Sequence, residues 1–212
     1  MKEKIKVLLV DDHAVVRAGF RMLLSSVDSI EVIAEASRCE EACKQYEDWL
    51  PDVVVMDLSM PGIGGLEGIR RIVSRDPDAK ILVFSIHDEK VYVDRALASG
   101  AKGYITKNSA PEMLITAVQE IAGGNAFIEA GLLAANSPPA GQNDQQSLLA
   151  TLSPKEFDVF RLLAKGLTTH EAANELCLGV KTVANYSTQI KAKLRVNTTA
   201  ELARLAIDLK IL

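Results

Sequence analysis

Five short apolar runs, each followed by an amphipathic stretch, occupy the first 125 residues and leave few folds open. The runs at 5–10, 30–34, 53–57, 80–85 and 103–106 are strand-like. The stretches at 14–26, 38–49, 65–75, 89–99 and 111–122 carry helical spacing. Strands that are apolar on both faces and alternate with helices form a parallel sheet covered on both sides. The expectation is a doubly wound α/β domain of five parallel strands. Pro61-Gly62, Asp76-Pro77, Gly100 and Gly123-Gly124 mark its turns.

Residues 126–150 read differently. They include Asn136-Ser137-Pro138-Pro139-Ala140-Gly141-Gln142-Asn143-Asp144-Gln145-Gln146-Ser147, which is polar and has no period. This composition reads as a linker. From 151 to 212 the pattern is all helical, with helices expected at 154–165, 169–176, 180–194 and 198–210. Ser153-Pro154-Lys155-Glu156 is a capping box with proline at the first helical position. Only Cys177-Leu178-Gly179 separates the second and third of these helices, the signature of a helix-turn-helix. The domains are therefore 1–125, a linker 126–150, and 151–212.

The chemistry gathers at strand ends. The run Val53-Val54-Val55-Met56 ends in Asp57, and the first strand ends in Asp11-Asp12. Ligands of open α/β sheets bind outside the carboxyl ends of the strands. Three carboxylates converging there need a counter-charge, and Mg²⁺ held by oxygens supplies one. The same ion neutralises charge during phosphoryl transfer. The pattern points to a carboxylate that handles phosphate.

The first 125 residues resemble a response-regulator receiver domain, of flavodoxin-like fold, over its whole length. Asp11-Asp12, Asp57, Met60-Pro61-Gly62, Ser85, and Tyr104 with Lys107 carry the likeness, in that order. It implies that a sensor histidine kinase phosphorylates Asp57. It implies that Asp12, Asp57 and the Ser59 backbone carbonyl ligate Mg²⁺, with Asp11 holding a metal-bound water. Lys107 would pair with the phosphoryl oxygens. Ser85 and Tyr104 would form a switch, the ring turning from exposed to buried. Asn108 stands where many receivers have proline. His87, two residues past Ser85, is either a solvated loop residue or an influence on water access and phosphoryl lifetime.

Residues 151–212 resemble the LuxR/NarL-type DNA-binding domain, through Leu152-Ser153-Pro154-Lys155-Glu156, Leu162-Leu163-Ala164-Lys165-Gly166-Leu167-Thr168 and Lys181-Thr182-Val183. The whole chain thus resembles a NarL/FixJ-family regulator, and at Tyr186 it is similar to the GacA/UvrY-like subgroup. Helix 180–194 would enter the major groove of double-stranded DNA, with Val183, Ile190 and Leu194 as core. Ala184, Asn185, Thr188 and Lys191 would face DNA. Lys181, Thr182, Lys191 and Lys193 would reach phosphates. Ala184 replaces a lysine common in the family. Phosphorylation would favour a homodimer on paired promoter half-sites.

Charge and composition are consistent with two jobs. Residues 151–212 carry nine Lys/Arg against six acids, whereas the remainder carries 15 against 22. The three cysteines, Cys39, Cys43 and Cys177, lack a zinc-like pattern and read as ordinary thiols. Met1-Lys2-Glu3-Lys4 has no signal-peptide core, and no long apolar run exists, so a cytoplasmic protein without membrane contact is expected. Three rivals stand beside this reading. One is a regulator with an idle receiver. Another is a Mg²⁺-dependent phosphotransferase with Asp57 as nucleophile, which would need a substrate cap that this chain lacks. The last is a protein-only output from the helical domain.

Overall fold

A computed structural model describes residues 3–132, 143–209 and 211–212. The chain forms two compact units. The first unit runs β1 (Ile5–Val10), α1 (Ala14–Ser25), β2 (Ile30–Ala36), α2 (Cys39–Trp49), β3 (Val53–Met56) and α3 (Gly65–Arg75). It continues with β4 (Ile81–Ser85), α4 (Lys90–Ala98), β5 (Gly103–Thr106), α5 (Pro111–Ala122) and β6 (Phe127–Ile128). All strand pairs are parallel, in the order β2-β1-β3-β4-β5-β6. Strand order reverses between β1 and β3, so a crevice opens at their carboxyl ends.

Period-two alternation sorts the strand side chains onto two faces. Val7, Leu9, Val53, Val55, Leu82, Phe84 and Ile105 pack with Leu24 of α1 and with Leu114, Ala117, Val118 and Ile121 of α5. The opposite face carries the buried residues Leu8, Val10, Val54, Met56 and Val83. There Cys39 Sγ of α2 lies 3.7 Å from Met56 Sδ. Both cysteines of α2 are buried, as ordinary core thiols are.

Two elements depart from the sequence reading. The sheet has six strands rather than five: Phe127 and Ile128 pair with Gly103 and Tyr104. Glu129 N–H donates to the Tyr104 carbonyl, and Thr106 N–H donates to the Glu129 carboxylate. Helix α6 (Asn143–Ala150) forms inside the stretch read as a linker. The rest of that stretch, from 133 to 142, lies outside the described residues.

The second unit adds α7 (Pro154–Ala164), α8 (Thr169–Glu175), α9 (Val180–Leu194) and α10 (Thr199–Asp208). Capping boxes start α7 (Ser153 with Glu156) and α8 (Thr168 with Glu171), satisfying backbone donors that a bare helix end leaves unpaired. Phe157 and Phe160 of α7, Val183 and Ile190 of α9, and Leu202 and Ala206 of α10 are fully buried. Among the described residues, no helix is long and apolar enough to cross a membrane.

Glu156 also accepts from Lys193 Nζ at 2.7 Å, which joins α7 to α9. Burial by itself would raise the Glu156 carboxyl. Lys193 and the Ser153 backbone outweigh it and hold the group below its ordinary 4.5. A depressed folded value means stability that is present above 4.5 and lost as pH falls through the folded value. Glu156→Gln keeps the cap geometry and removes the charge. It is expected to cost about 1 kcal/mol at neutral pH and almost nothing near pH ~3. Urea unfolding of the full chain at both pH values checks this.

Candidate functional site

Backbone pairing brings two acids together. Val10 is in register with Met56, so the next residues, Asp11 and Asp57, sit side by side at the carboxyl edge. Asp57 N–H donates to the Val10 carbonyl at 2.9 Å, and Asp11 N–H donates to the Ala36 carbonyl at 3.1 Å. Their positions thus follow from the ladder and not from a loop. Both carboxylates are buried, at 2% exposure.

Lysine 107 arrives by the same logic. Ser85 is in register with Thr106, and Lys107 N–H donates to the Ser85 carbonyl at 2.7 Å. Lys107 Nζ then reaches Asp11 Oδ2 at 2.6 Å and Asp57 Oδ2 at 2.7 Å. Burial alone would lower the Lys107 ammonium, but Asp57 and Asp11 outweigh it and hold its pKa above the ordinary value. The second Asp57 oxygen, Oδ1, accepts from Ser59 N–H at 3.2 Å. The first residue of α3, Gly65, backs onto the Asp57 carbonyl so closely that a methyl group there would collide with it.

Asp11, Asp12, His13 and Asp57 each turn one donor atom into a space no more than 4.8 Å across. The set fits a hard divalent cation. It is dominated by carboxylate oxygens, and Asp12 Oδ1 is buried without a hydrogen bond. His13 Nδ1 lies 2.9 Å from that oxygen, but outside hydrogen-bonding geometry. The sequence reading passed over His13. Its signal was adjacency to the acidic pair, since Asp11 Oδ1 accepts the His13 N–H and turns that side chain toward the acids.

The switch residues hold an unexpected arrangement. Tyr104 was expected to be exposed before any modification, yet its ring is fully buried. Its hydroxyl donates to the His87 carbonyl at 2.7 Å, so burial leaves no polar group unsatisfied. Burial pushes the Tyr104 phenol up. Ser85 is fully buried, and its Oγ accepts from His87 N–H at 3.4 Å.

In the second unit, α9 presents one face inward and another outward. Val183, Ile190 and Leu194 are buried. Lys181, Thr182, Ala184, Asn185 and Thr188 are exposed, and Lys191 is half-buried. Thr188 Oγ1 donates to the Ala184 carbonyl at 3.1 Å. Lys193 is tied to Glu156, so a phosphate contact there has to compete with that pair. Helix α8 joins α9 through a short turn in which Cys177 takes a positive φ of 52°.

Comparison with known proteins matches both units. Residues 7–119 match the response regulator receiver domain, and residues 150–206 match the bacterial regulatory proteins of the luxR family. The chain is 41% identical to the transcriptional activator protein ExaE of Pseudomonas putida, over 97% of each chain. It is 36% identical to the response regulator UvrY of Escherichia coli K12, over 96% of this chain and 94% of that one. Among solved structures it resembles RcsB from Salmonella enterica serovar Typhimurium bound to the promoter rprA in the presence of the phosphomimetic BeF3-. That match has 25% identity and a TM-score of 0.65, over 99% of this chain and all of that one.

Proposed function

The chain belongs to the two-component response regulators that join a receiver domain to a LuxR-type DNA-binding domain, and on that footing we propose that Asp57 is its phosphoacceptor. As a member it is a transcription regulator, not an enzyme that turns over free substrates. One observation carries the assignment: Lys107 Nζ bridges Asp11 and Asp57 at the crevice edge of the sheet.

The Asp57 carboxylate attacks phosphorus, and the donor group leaves with the bonding electron pair. Lys107 moves from the carboxylates onto a phosphoryl oxygen, and Ser85 offers a hydroxyl to another. Asp12, Asp57 and the Ser59 carbonyl would hold Mg²⁺, with Asp11 on a bound water. Bound there, the ion neutralises charge shared by the carboxylate and the phosphoryl oxygens. The expected donor in the cell is a sensor histidine kinase, and the expected location is the cytoplasm. Tyr104, already inward, holds the α4–β5–α5 surface that phosphorylation would favour for homodimerisation.

Two copies would place α9 in the major grooves of paired half-sites on double-stranded DNA. Asn185 would pair with adenine, the Thr188 methyl would meet a thymine methyl, and Lys181, Thr182 and Lys191 would approach phosphates. Asn185→Ala is expected to cost about 1–3 kcal/mol on a duplex selected by the wild type and little on a scrambled one. Ala184→Lys should steepen the salt dependence of binding by up to roughly one unit, without adding sequence preference. Fluorescence anisotropy across a salt series measures both. Equal losses for Asn185→Ala on both duplexes would remove its reading role. Binding that ignores the phosphodonor would favour an idle receiver.

A further inference from the structure

His87 belongs to no role assigned so far, yet it contacts Ser59, Ser85 and Tyr104 of the receiver site. Its Nε2 lies 3.0 Å from Ser59 Oγ, across 28 residues of sequence. Ser59 in turn presents its N–H to Asp57 Oδ1. The imidazole stacks on Tyr92 of α4, with ring centroids 3.9 Å apart and planes 3° from parallel. The His87 backbone holds both switch residues, accepting from Tyr104 and donating to Ser85. Its side chain is only 11% exposed. This is not the environment of a solvated loop histidine.

We propose that His87 is a positioning residue for phosphoryl transfer at Asp57. It sets the Ser59 loop through Nε2 while its ring is fixed against Tyr92. The chemistry at Asp57 is the transfer described above, and the inference rests on that reading. As the new P–O bond forms, negative charge grows on the phosphoryl oxygens beside Asp57 Oδ1. A backbone N–H stabilises that charge only if it is already aimed. Ser59 N–H donates to that oxygen, and contacts at its N–H and at its hydroxyl restrain the residue. Its N–H is bound to Asp57, and its hydroxyl is bound to His87. Glu89 Oε2 lies 3.7 Å from His87 Nδ1 on the far side of the ring, and the His87 Nε2–Ser59 Oγ bond forms with either ring tautomer, because the hydroxyl both donates and accepts. The stack supplies the second restraint. Without Tyr92 behind it, the ring would be free to turn its Nε2 edge off the loop.

The two restraints separate by substitution. His87→Phe keeps a ring to stack on Tyr92 and loses the bond to Ser59. His87→Gln keeps a polar end for Ser59 and loses the stack. Ser59→Ala removes the hydroxyl but leaves the backbone N–H and carbonyl. The full chain is incubated with Mg²⁺ and acetyl phosphate across donor concentrations, and the phosphorylated fraction is followed by intact mass. His87→Phe should slow the saturated rate about tenfold, within the roughly hundredfold that a 1 Å misplacement costs. The donor concentration giving half that rate should not change. Ser59→Ala should match it. The double variant should be no slower than either single one, because both remove the same bond. His87→Gln should recover only part of the rate, since it restores the bond to Ser59 without the stack.

Circular dichroism melting of each variant identifies any that fail to fold, and Ser59→Ala, which removes a single oxygen, remains the test in that case. A His87→Phe or Ser59→Ala variant as fast as the wild type overturns the proposal. So do rate losses that multiply in the double variant. Asp57→Asn is run alongside. If it gains phosphate, the phosphoacceptor reading itself is wrong. If it stays blank while the other variants match the wild type, only the role of His87 is lost.

Discussion

Asp57→Asn is expected to take up no phosphoryl group from acetyl phosphate and Mg²⁺, whereas the wild type should gain one, read by intact mass. This is the largest expected effect, because it removes the proposed nucleophile and leaves its surroundings almost unchanged. An amide oxygen carries no full charge and does not displace a phosphate leaving group. Among the described residues, neither neighbouring acid is placed to replace it. Asp11 is engaged by Lys107 and by the His13 N–H, and Asp12 faces the cation space. Asp12→Ala should also lose labelling, through loss of the cation. Full labelling of Asp57→Asn would move the phosphoacceptor elsewhere, and an unlabelled wild type would support the idle-receiver rival.

Lys107→Met should lower the stability of the full chain by about 3–5 kcal/mol without Mg²⁺. The ammonium is the link between two carboxylates that are almost completely buried. Removing it leaves like charges adjacent and unpaired in a medium that solvates them poorly. Mg²⁺ should restore more stability to the variant than to the wild type, since the cation then carries the whole counter-charge. The pH window follows from the raised lysine. A raised folded pKa contributes stability that is fully present below the ordinary 10.5 and lost as pH rises through the folded value. The difference between wild type and variant should therefore hold across neutral pH and shrink only under strong alkali. Urea unfolding in chelator and in Mg²⁺ measures it. A variant as stable as the wild type in chelator would mean that the pocket does not depend on this pair.

The ladder explains why the pocket was legible. A strand buried on both faces must end where its apolar run ends, and Asp11 and Asp57 follow two such ends in neighbouring strands. The same holds for Ser85 and for Lys107, set one residue beyond β5. β6 has no comparable signal, since two residues show no period and Gly123-Gly124 had already closed the pattern. Helix α6 was hidden by polarity: Leu148 and Leu149 are its only large apolar residues, and Leu149 is buried. The inward Tyr104 was not legible either. Its state depends on a partner for its hydroxyl, and that partner is a carbonyl, which every residue possesses. The Lys193–Glu156 pair spans 37 residues, and its reach follows only once α7 and α9 are packed.

The division of α9 into two faces has an evolutionary consequence. Val183, Ile190 and Leu194 answer to the core, where most changes cost stability. Ala184, Asn185 and Thr188 are exposed, where substitutions usually cost within about 0.5 kcal/mol. Lineages can therefore rewrite those three positions one at a time, each intermediate remaining folded. If these positions read DNA as proposed, a duplicated copy of this gene would need few steps to acquire a different set of promoters. Lys193 stands outside that freedom, because any replacement there also loosens α7.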